Sequence, residues 1–471
     1  MLPLDGIRVV EFGSMISVPY AAMLLAEMGA EVIKVERPAG DESRKSAPFW
    51  RDVSAYFFNL NRGKKSVVLD LRQPTDLAAA VRLCERADVA MENFRPGVAN
   101  RLGLNFAQLR AQNPRLITAA VRGYGDDGPR VADRVYDPII QAMSSMVAGQ
   151  GGNDSPQFVR TFLPDKVAAL AVVQGVLAAL YQRERTGEGG EIVLSMLDAS
   201  VNFLWPEGMM HHTFADAPID EELAGRPPRV GHFVRGSDGR WLACASITDA
   251  QWDALCSAVG APELATRYPT GIERLRNHTG VTAALNLACA DLRRDEVLDR
   301  LRAADVPCAP VNTVSDVLVD PQVVHNGTVL TANTADLGPV RRPKPIVSVG
   351  TAGTEWPWRA PALGEHTAEI LASLAETPRQ VSLTGARDAM EERDDLPARE
   401  QLRRRGRVRT RHGDRADPVA DDGVGHPRRP RRGGAEPRRR GRAFHRWPAE
   451  LVAGPRTRRL PWHPPALPGQ H

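Results

Sequence analysis

Cysteine is scarce in this sequence, with five residues among 471. No two of them form a C-x-x-C motif, and none has a histidine partner nearby in the chain; they are Cys84, Cys244, Cys256, Cys289 and Cys308. A disulfide framework or a zinc site needs closely spaced ligands, so we expect neither and predict no metal site. Most of these thiols are predicted to be buried and reduced.

Targeting signals and long apolar runs are also missing. The N-terminus, "MLPLDGIRVVEFG", has no basic segment followed by an apolar run. The longest apolar stretch, Val167–Tyr181, is interrupted by Gln174 and is shorter than the ~20 residues that cross a bilayer. We therefore expect a cytoplasmic protein without a membrane partner.

The two common nucleotide-binding motifs, G-x-G-x-x-G and the P-loop, are absent. The turn "EFGSMISVPY" still lies between a strand pattern and a helix pattern, where backbone N–H groups suit an anion. The alternative is that Gly13 and Ser14 only form a tight turn and a helix cap, and the residues alone favour this alternative.

Lysine is absent from the last part of the chain. Residues 376–471 contain 23 Arg, no Lys and 13 acidic residues, a net charge of +10, whereas the preceding 375 residues carry −6. This Arg-, Pro- and Gly-rich composition cannot bury enough apolar surface to form a core, so we predict disorder. The bias is typical of GC-rich DNA read out of frame. We favour a non-native extension over an arm that binds nucleic acid.

What is present is an alternation of strand and helix patterns. "GIRVVEF", "EVIKVER", "KSVVLDL", "ADVAMENF" and "PRLITAAVRGYG" are predicted strands, and helical periodicity separates them. The alternation predicts a Rossmann-like α/β domain with a parallel sheet over residues 1–208. Residues 209–229 are a predicted linker, 230–314 a smaller α+β domain, and 315–375 a return toward the first domain.

Several arginines follow the predicted strands: Arg37, Arg72, Arg101 and Arg134. In an open parallel sheet, ligands bind at the carboxyl ends of the strands. Guanidinium groups there could bind the phosphates of a nucleotide-like ligand through forked hydrogen bonds. The alternative for each is an ordinary solvated side chain.

Asp165, in "TFLPDKVAAL", precedes a long apolar helix pattern. A carboxylate there favours the helix dipole by ~0.3–1 kcal/mol. Local physics therefore indicates a helix cap.

Motifs along the chain nevertheless combine into a recognisable series. They include "LDGIRVVEFGSMISVPYAAMLLAEMGAEVIKVERP", "NRGKKSVVLDLR", "ADVAMENFRPGVANRLG", "YDPIIQA", "LPDKVAAL", "RTGEGGEIVLSMLDASVNFL" and "APALGEHTAEIL". In order and spacing from about Leu4 to Leu374, the chain resembles the class III coenzyme A transferase family. That family includes formyl-CoA transferase, alpha-methylacyl-CoA racemase and carnitine CoA-transferase.

The resemblance implies a large Rossmann-like domain built from both chain ends, an inserted small domain and an interlocked-ring homodimer. It makes Asp165 the nucleophile. Coenzyme A, a substrate and not a tightly bound cofactor, would contact Ser14, Met15, Ile16, Ser17, Arg37, Leu69, Arg72, Asn93, Phe94, Arg101, Leu102 and Arg134.

The implied reaction moves CoA from an acyl-CoA to a free carboxylic acid through an aspartyl mixed anhydride and an aspartyl-CoA thioester. An ordinary aspartate is ionised at pH 7 and needs no base. Glycine-rich "VAGQGG" (Val147–Gly152) is a candidate source of oxyanion-stabilising N–H groups. The acyl donor and the acceptor acid are not indicated.

The alternative function is racemisation of a 2-methylacyl-CoA. Racemases of the family use a histidine and an aspartate, and Tyr136 occupies the histidine position here. An ordinary tyrosine, with a pKa of ~10, is a poor proton shuttle, so Tyr136 is predicted only to line the substrate pocket. Transferase is the favoured function.

Overall fold

The computed structural model describes residues 2–152, 155–220, 231–347 and 359–375. In chain order, the strands are β1 (Arg8–Glu11), β2 (Glu31–Glu36), β3 (Phe49–Trp50), β4 (Val53–Ser54), β5 (Lys65–Val68), β6 (Val89–Glu92), β7 (Ile117–Arg122), β8 (Gly190–Ser195), β9 (Gly231–Arg235), β10 (Trp241–Ala245), β11 (Cys308–Pro310), β12 (Val329–Thr334) and β13 (Gly338–Pro343). The helices are α1 (Ser17–Glu27), α2 (Ala55–Asn61), α3 (Pro74–Glu85), α4 (Val98–Arg101), α5 (Phe106–Gln112), α6 (Asp137–Met143), α7 (Met146–Gly151), α8 (Leu163–Thr186), α9 (Met196–Gly208), α10 (Asp249–Ala258), α11 (Glu263–Arg267), α12 (Gly271–Arg276), α13 (His278–Ala288), α14 (Arg294–Ala303), α15 (Val314–Val317), α16 (Pro321–His325) and α17 (Thr367–Ala375). Short 3-10 turns lie at Glu42–Lys45 and Met210–His212.

A six-stranded sheet in the order β5-β2-β1-β6-β7-β8 forms the centre, and every neighbouring pair is parallel. Taken in chain order, this is the Rossmann arrangement, with three strands on each side of a switch point between β1 and β6. The predicted α/β class with a parallel sheet is confirmed.

Alternating side chains explain why both faces of the sheet are covered. Val9 and Val32 join one apolar cluster with α1 and α8, while Val10 and Ile33 join another with α3, α5 and α17. A strand with a period of two therefore presents apolar groups to both layers. Helix α17, near the end of the described chain, packs on β5 and α3, so distant parts of the sequence share one core.

Helix α8 has 24 residues, and its length and composition would allow it to cross a membrane. The expectation that its apolar stretch is too short was wrong, because the helix begins at Leu163 and ends only at Gly187, which has a left-handed φ of +81°. Val172 and Val176 are fully buried against the sheet and α1. One face of α8 therefore belongs to the core of the domain.

The strands β9, β10 and β11 form an antiparallel sheet with helices α10–α14. Its core surrounds the fully buried Trp252. The predicted hairpin at Ser237–Gly239 joins β9 to β10. The five cysteines are free thiols and four are buried, which confirms the predicted reduced state.

Three predicted regions are only partly described or lie outside the described residues. The linker is not described from residue 221 to its end, and the return segment is not described over residues 348–358. The tail from residue 376 onward lies wholly outside the described residues. The sequence patterns also missed short elements, namely the β3–β4 and β12–β13 hairpins and helix α2.

Candidate functional site

The switch point of the sheet brings together the turn after β1 and the residue after β6. Asn93 accepts the N–H of Ser14 (3.0 Å) through Oδ1, and its Nδ2 donates to the Ser14 carbonyl (2.8 Å) and to Ser17 Oγ (3.2 Å). One amide side chain thus fixes the turn between β1 and α1. This is where a doubly wound sheet binds ligands.

Two N–H groups of that turn are already occupied. The Ser14 N–H donates to Asn93, and the Met15 N–H donates to Asp41 Oδ1 (3.3 Å). These two N–H groups are therefore held within the protein, in agreement with the tight-turn alternative for Gly13 and Ser14. The N–H of Ser17, at the start of α1, faces a carboxylate instead, that of Asp165.

Asp165 lies in the first turn of α8 but does not cap it. The N-cap residue is Phe162, whose side chain makes no capping hydrogen bond, and the N–H of Asp165 donates to Asp137 Oδ2 (3.1 Å). The carboxylate of Asp165 is turned toward the N–H and hydroxyl of Ser17. Asp165 therefore interacts with the start of a neighbouring helix, and the cap interpretation of its own helix is wrong.

The pKa of Asp165 is raised from 3.8 to about 7. Burial is the largest cause and the negative charge of Asp137 adds to it, while the two Ser17 groups act in the opposite direction. At neutral pH only about half of the side chain is carboxylate. Full ionisation, expected from the residue type, does not hold here.

The sequence patterns missed Asp137, which supports Asp165. Its Oδ1 accepts Gln141 Nε2 (2.7 Å), and Gln141 also bonds the Val159 N–H (3.0 Å) and Thr161 carbonyl (3.1 Å). These contacts anchor the segment leading into α8. The Asp-Pro pair at the start of α6 is a helix-start signal that could have drawn attention to Asp137.

Tyr56 is a second residue that the sequence did not single out. Its hydroxyl is buried and has no hydrogen-bond partner among the described residues. Burial and then the charge of Asp165 raise the pKa of Tyr56 well above its ordinary value. A neutral donor thus lies close to the carboxylate.

Two amides of the segment Val147–Gly152 are occupied within a helix. The segment forms most of α7, where the N–H of Gly149 donates to the Ser145 carbonyl (2.9 Å) and that of Gly152 to the Ala148 carbonyl (2.6 Å). The amides of Gly149 and Gly152 are therefore satisfied within the helix and are not free to stabilise an oxyanion.

Two adjoining cavities open at this edge of the sheet. The larger, about 640 Å³, is lined by the predicted residues Ser14, Arg37, Leu69, Arg72, Phe94 and Leu102. The smaller, about 340 Å³, is lined by Ser14, Met15, Ser17, Asn93, Phe94, Arg134, Tyr136 and Asp165. Two predicted residues, the buried Ile16 and the exposed Arg101, line neither. Ser14 and Phe94 belong to both.

Phe94, which lines both cavities, is held by contacts to two charged side chains. Glu92, 2% exposed, pairs with Arg122 (2.6 Å) and accepts the N–H of Phe94 (2.5 Å), while Arg122 also donates to the Phe94 carbonyl (3.1 Å). Phe94 therefore has a fixed backbone between the cavities.

The cations of the larger cavity are paired with carboxylates. Arg72 makes a forked contact to Asp70 (2.8 and 2.9 Å), and Arg37 pairs with Glu42. These pairs are exposed and would exchange readily for a phosphate group.

Comparison with known proteins identifies the family. A model of CoA-transferase family III matches residues 4–367. The chain belongs to CoA-transferase family III.

Curated relatives of this family III chain carry transferase names. It is 36% identical over 327 residues, 68% of this chain and 83% of the relative, to acetyl-CoA:oxalate CoA-transferase of Acetobacter aceti. It is 33% identical over 389 residues, 78% and 95% respectively, to succinyl-CoA:mesaconate CoA-transferase of Haloarcula hispanica. A CaiB/BaiF family protein from Brucella suis has a similar crystal structure, with a TM-score of 0.69 and 32% identity over 79% of this chain and 99% of that one.

Proposed function

We propose that the protein transfers CoA from an acyl-CoA to a free carboxylic acid, with Asp165 as the nucleophile. The observation that carries the proposal is the position of Asp165 in a small cavity that shares Ser14 and Phe94 with a longer one. The relatives named for CoA transfer to oxalate and mesaconate support the same reaction class.

In this proposal CoA is a substrate and its nucleotide occupies the larger cavity. Arg37 and Arg72 bind phosphate groups, with Arg101 outside the rim, and Leu69, Leu102 and Phe94 supply apolar contacts for the base. The pantetheine arm passes the turn of Ser14–Ser17, including Asn93 beside it, and brings the thioester to Asp165. This assignment uses the lining residues that the two cavities share and the arginines that line the larger one.

The chemistry needs no proton transfer once Asp165 is ionised. Its carboxylate attacks the thioester carbonyl, the C–S bond breaks, and the CoA thiolate leaves with the electron pair. The thiolate attacks the aspartyl carbonyl of the resulting mixed anhydride and expels the donor acid. The acceptor carboxylate attacks the aspartyl-CoA thioester and displaces the thiolate, which then takes the new acyl group and frees Asp165.

The acceptor is proposed to be a small carboxylic acid held in the cavity of Asp165. Arg95 and Arg134 line that cavity and can offset its negative charge, and Tyr136 lies at the same wall. A volume of about 340 Å³ suits a small acid.

The test is CoA exchange between succinyl-CoA or acetyl-CoA and a carboxylate panel, followed by liquid chromatography. Asp165→Asn is expected to lose activity by at least about 10³-fold, the scale of a missing nucleophile. Mass spectrometry of the parent should detect CoA bound to the peptide containing Asp165. Asp198→Asn is the matched control, because Asp198 also lies in the first turn of a helix but is exposed. Equal activity of Asp165→Asn and parent would contradict the proposal.

Racemisation remains a second candidate because the pKa of Asp165, about 7, also suits proton transfer. A 2-methylacyl-CoA in deuterated water would then gain solvent label at its alpha carbon. Label incorporation without CoA exchange would favour the racemase.

A homodimer is proposed from the apolar surface of α8, β8 and α9. Leu170, Tyr181, Val193, Phe203 and Trp205 are each at least 43% exposed. Large apolar side chains on adjoining elements are typical of a surface covered by a partner.

A further inference from the structure

Beneath the turn between β1 and α1 lies a group of four charged side chains: Glu11, Lys34, Asp41 and Lys64. Each residue is at most 5% exposed. Lys64 Nζ contacts Glu11 Oε2 (2.7 Å), and Lys34 Nζ contacts Glu11 Oε1 (2.9 Å). With two cations and two anions the group is neutral as a whole, which limits the cost of burial.

Lys34 Nζ donates to Glu11 Oε1 (2.9 Å) and to the Gly13 carbonyl (2.8 Å). It also forms an ion pair with Asp41 Oδ2 (2.9 Å). Burial alone would lower the pKa of Lys34, but Glu11, Asp41 and Glu36 together raise it above its ordinary value. The ammonium therefore stays charged and ties the turn at Gly13 to the loop at Asp41.

The other carboxylate oxygen of Asp41 accepts a hydrogen bond from the turn. Oδ1 accepts the N–H of Met15 (3.3 Å) and both the N–H (2.9 Å) and hydroxyl (2.8 Å) of Ser43. Met15 has a φ of +66°, the left-handed region that L-residues other than Asn and Asp rarely adopt. The carboxylate thus holds a backbone conformation that Met15 does not favour.

The turn is common to both cavities. Gly13 and Ser14 line the larger one and Ser14 and Met15 the smaller one, and the N–H of Ser17, two residues later, faces Asp165. A change of φ at Met15 would displace all of these groups together.

We propose that Asp41, fixed by Lys34, is a positioning residue that holds Met15 in the left-handed conformation and so aligns the CoA cavity with Asp165. This inference rests on the proposed function. Asp41 also lines the larger cavity, so its direct effect on CoA is separated from its effect on the turn by comparing the two Met15 backgrounds.

The test is a double-mutant cycle between Asp41→Ala and Met15→Gly, read out by kcat/KM for acyl-CoA and by the Kd of CoA from isothermal titration. Glycine adopts a positive φ freely, whereas an L-residue loses a factor of about 5 to 30 in the conformational equilibrium. Asp41→Ala is expected to weaken CoA binding and kcat/KM by about that factor in the parent background. The same change should cost at least about fivefold less in the Met15→Gly background.

Arg44→Gln is the matched control. It breaks the ion pair of Arg44 with Glu36 (2.7 Å) in the same loop but does not touch the turn, so its effect should be equal in both backgrounds. If Asp41→Ala does not fold, as judged by circular dichroism, Asp41→Asn replaces it. Its loss of CoA affinity should then be at least about twofold smaller in the Met15→Gly background than in the parent.

Equal losses from the Asp41 change in the parent and Met15→Gly backgrounds would overturn the inference. The CoA affinities decide it independently of turnover. A parent that binds CoA but exchanges none with any carboxylate would refute the proposed function alone. A parent that does not bind CoA would refute both.

Discussion

Asp165 is placed where its charged form is disfavoured. Burial and the neighbouring Asp137 raise its pKa to about 7, and only Ser17 opposes them. A carboxylate that has lost much of its solvation is a stronger nucleophile but is present in a smaller fraction. A smaller fraction of Asp165 is therefore ionised at neutral pH, but each carboxylate is more reactive.

This balance predicts an acidic limb in the rate profile. The reactive form is the carboxylate, so kcat/KM should fall as the pH drops through about 7, reaching about a tenth of its plateau near pH 6. Initial rates of CoA exchange between pH 5.5 and 9 measure the midpoint. A midpoint near pH 4 would contradict the burial of a functioning Asp165.

The same shift predicts that ionised Asp165 destabilises the fold. A carboxyl with a folded pKa above its unfolded value of 3.8 gives stability at low pH that is lost as the pH rises toward 7. Asp165→Asn removes this cost. Its Tm should exceed that of the parent by about 2 °C or more at pH 8, and the difference should shrink toward pH 4. A lower Tm than the parent at pH 8 would refute this account.

At this scale, the sequence predicted the contacts that the family resemblance implies but not the residues whose role depends on packing. Asp137 was missed even though it lies in the motif "YDPIIQA". Asp165, Arg72 and Asn93 follow strands or begin a helix within recognisable motifs. Tyr56, Asp41 and Asp137 come from separate stretches, and only folding brings them near Asp165 or its turn. The pKa of Asp165 could not be predicted, since burial is a property of the packed structure.

An N–H group in the first turn of helix α8 donates to a carboxylate of helix α6. Because Asp137 accepts the N–H of Asp165 and Gln141 holds Asp137, the first turn of α8 depends on α6. The proposed nucleophile, Asp165, is thus placed by a contact between two helices.

Replacing Asp137 by Asn removes a charge that opposes ionisation of Asp165. The Asn Oδ1 can still accept the Asp165 N–H, while the bond from Gln141 is lost. The pKa of Asp165 should fall, so the acidic midpoint of kcat/KM should move to lower pH. Asp137→Ala also loses the acceptor and should cost about 1 kcal/mol of stability. Both are followed by rate profiles and chemical denaturation. An upward movement of the midpoint in Asp137→Asn would contradict the electrostatic role.

Periodicity predicted the sheet strands and long helices of the described chain because each has one dominant burial pattern. It failed for the short hairpins. Strands β3 and β4 have two residues each, too few for a period, and Trp50 is held by a bond to the distant Leu337 carbonyl (3.0 Å).

The exposed apolar side chains of α8, β8 and α9 point to a larger assembly. If the proposed homodimer is also interlocked, its chains cannot separate without opening the fold. Subunit exchange is then limited by unfolding and not by the strength of the interface.

Two differently tagged, separately purified preparations should therefore form no mixed dimers when incubated together for a day, whereas co-expression should yield them. Light scattering checks that each preparation is dimeric, and tandem affinity capture detects mixing. Phe203→Glu on α9 should lower the dimer yield, and Asp198→Ala on the same helix should not. Rapid mixing of intact parent dimers would contradict interlocking, and a monomeric parent would contradict the homodimer itself.

Within the part of the chain that the structure describes, the two cavities have only Ser14 and Phe94 in common. Most residues that line the cavity proposed for the acid therefore differ from those that line the cavity proposed for CoA. Under the proposed function, substitutions between Gly123 and Tyr136 are expected to change which acid is accepted while binding of the CoA nucleotide is preserved. In evolution and in engineering, the acid specificity of the protein can therefore change through the lining of the smaller cavity alone, without loss of the larger cavity.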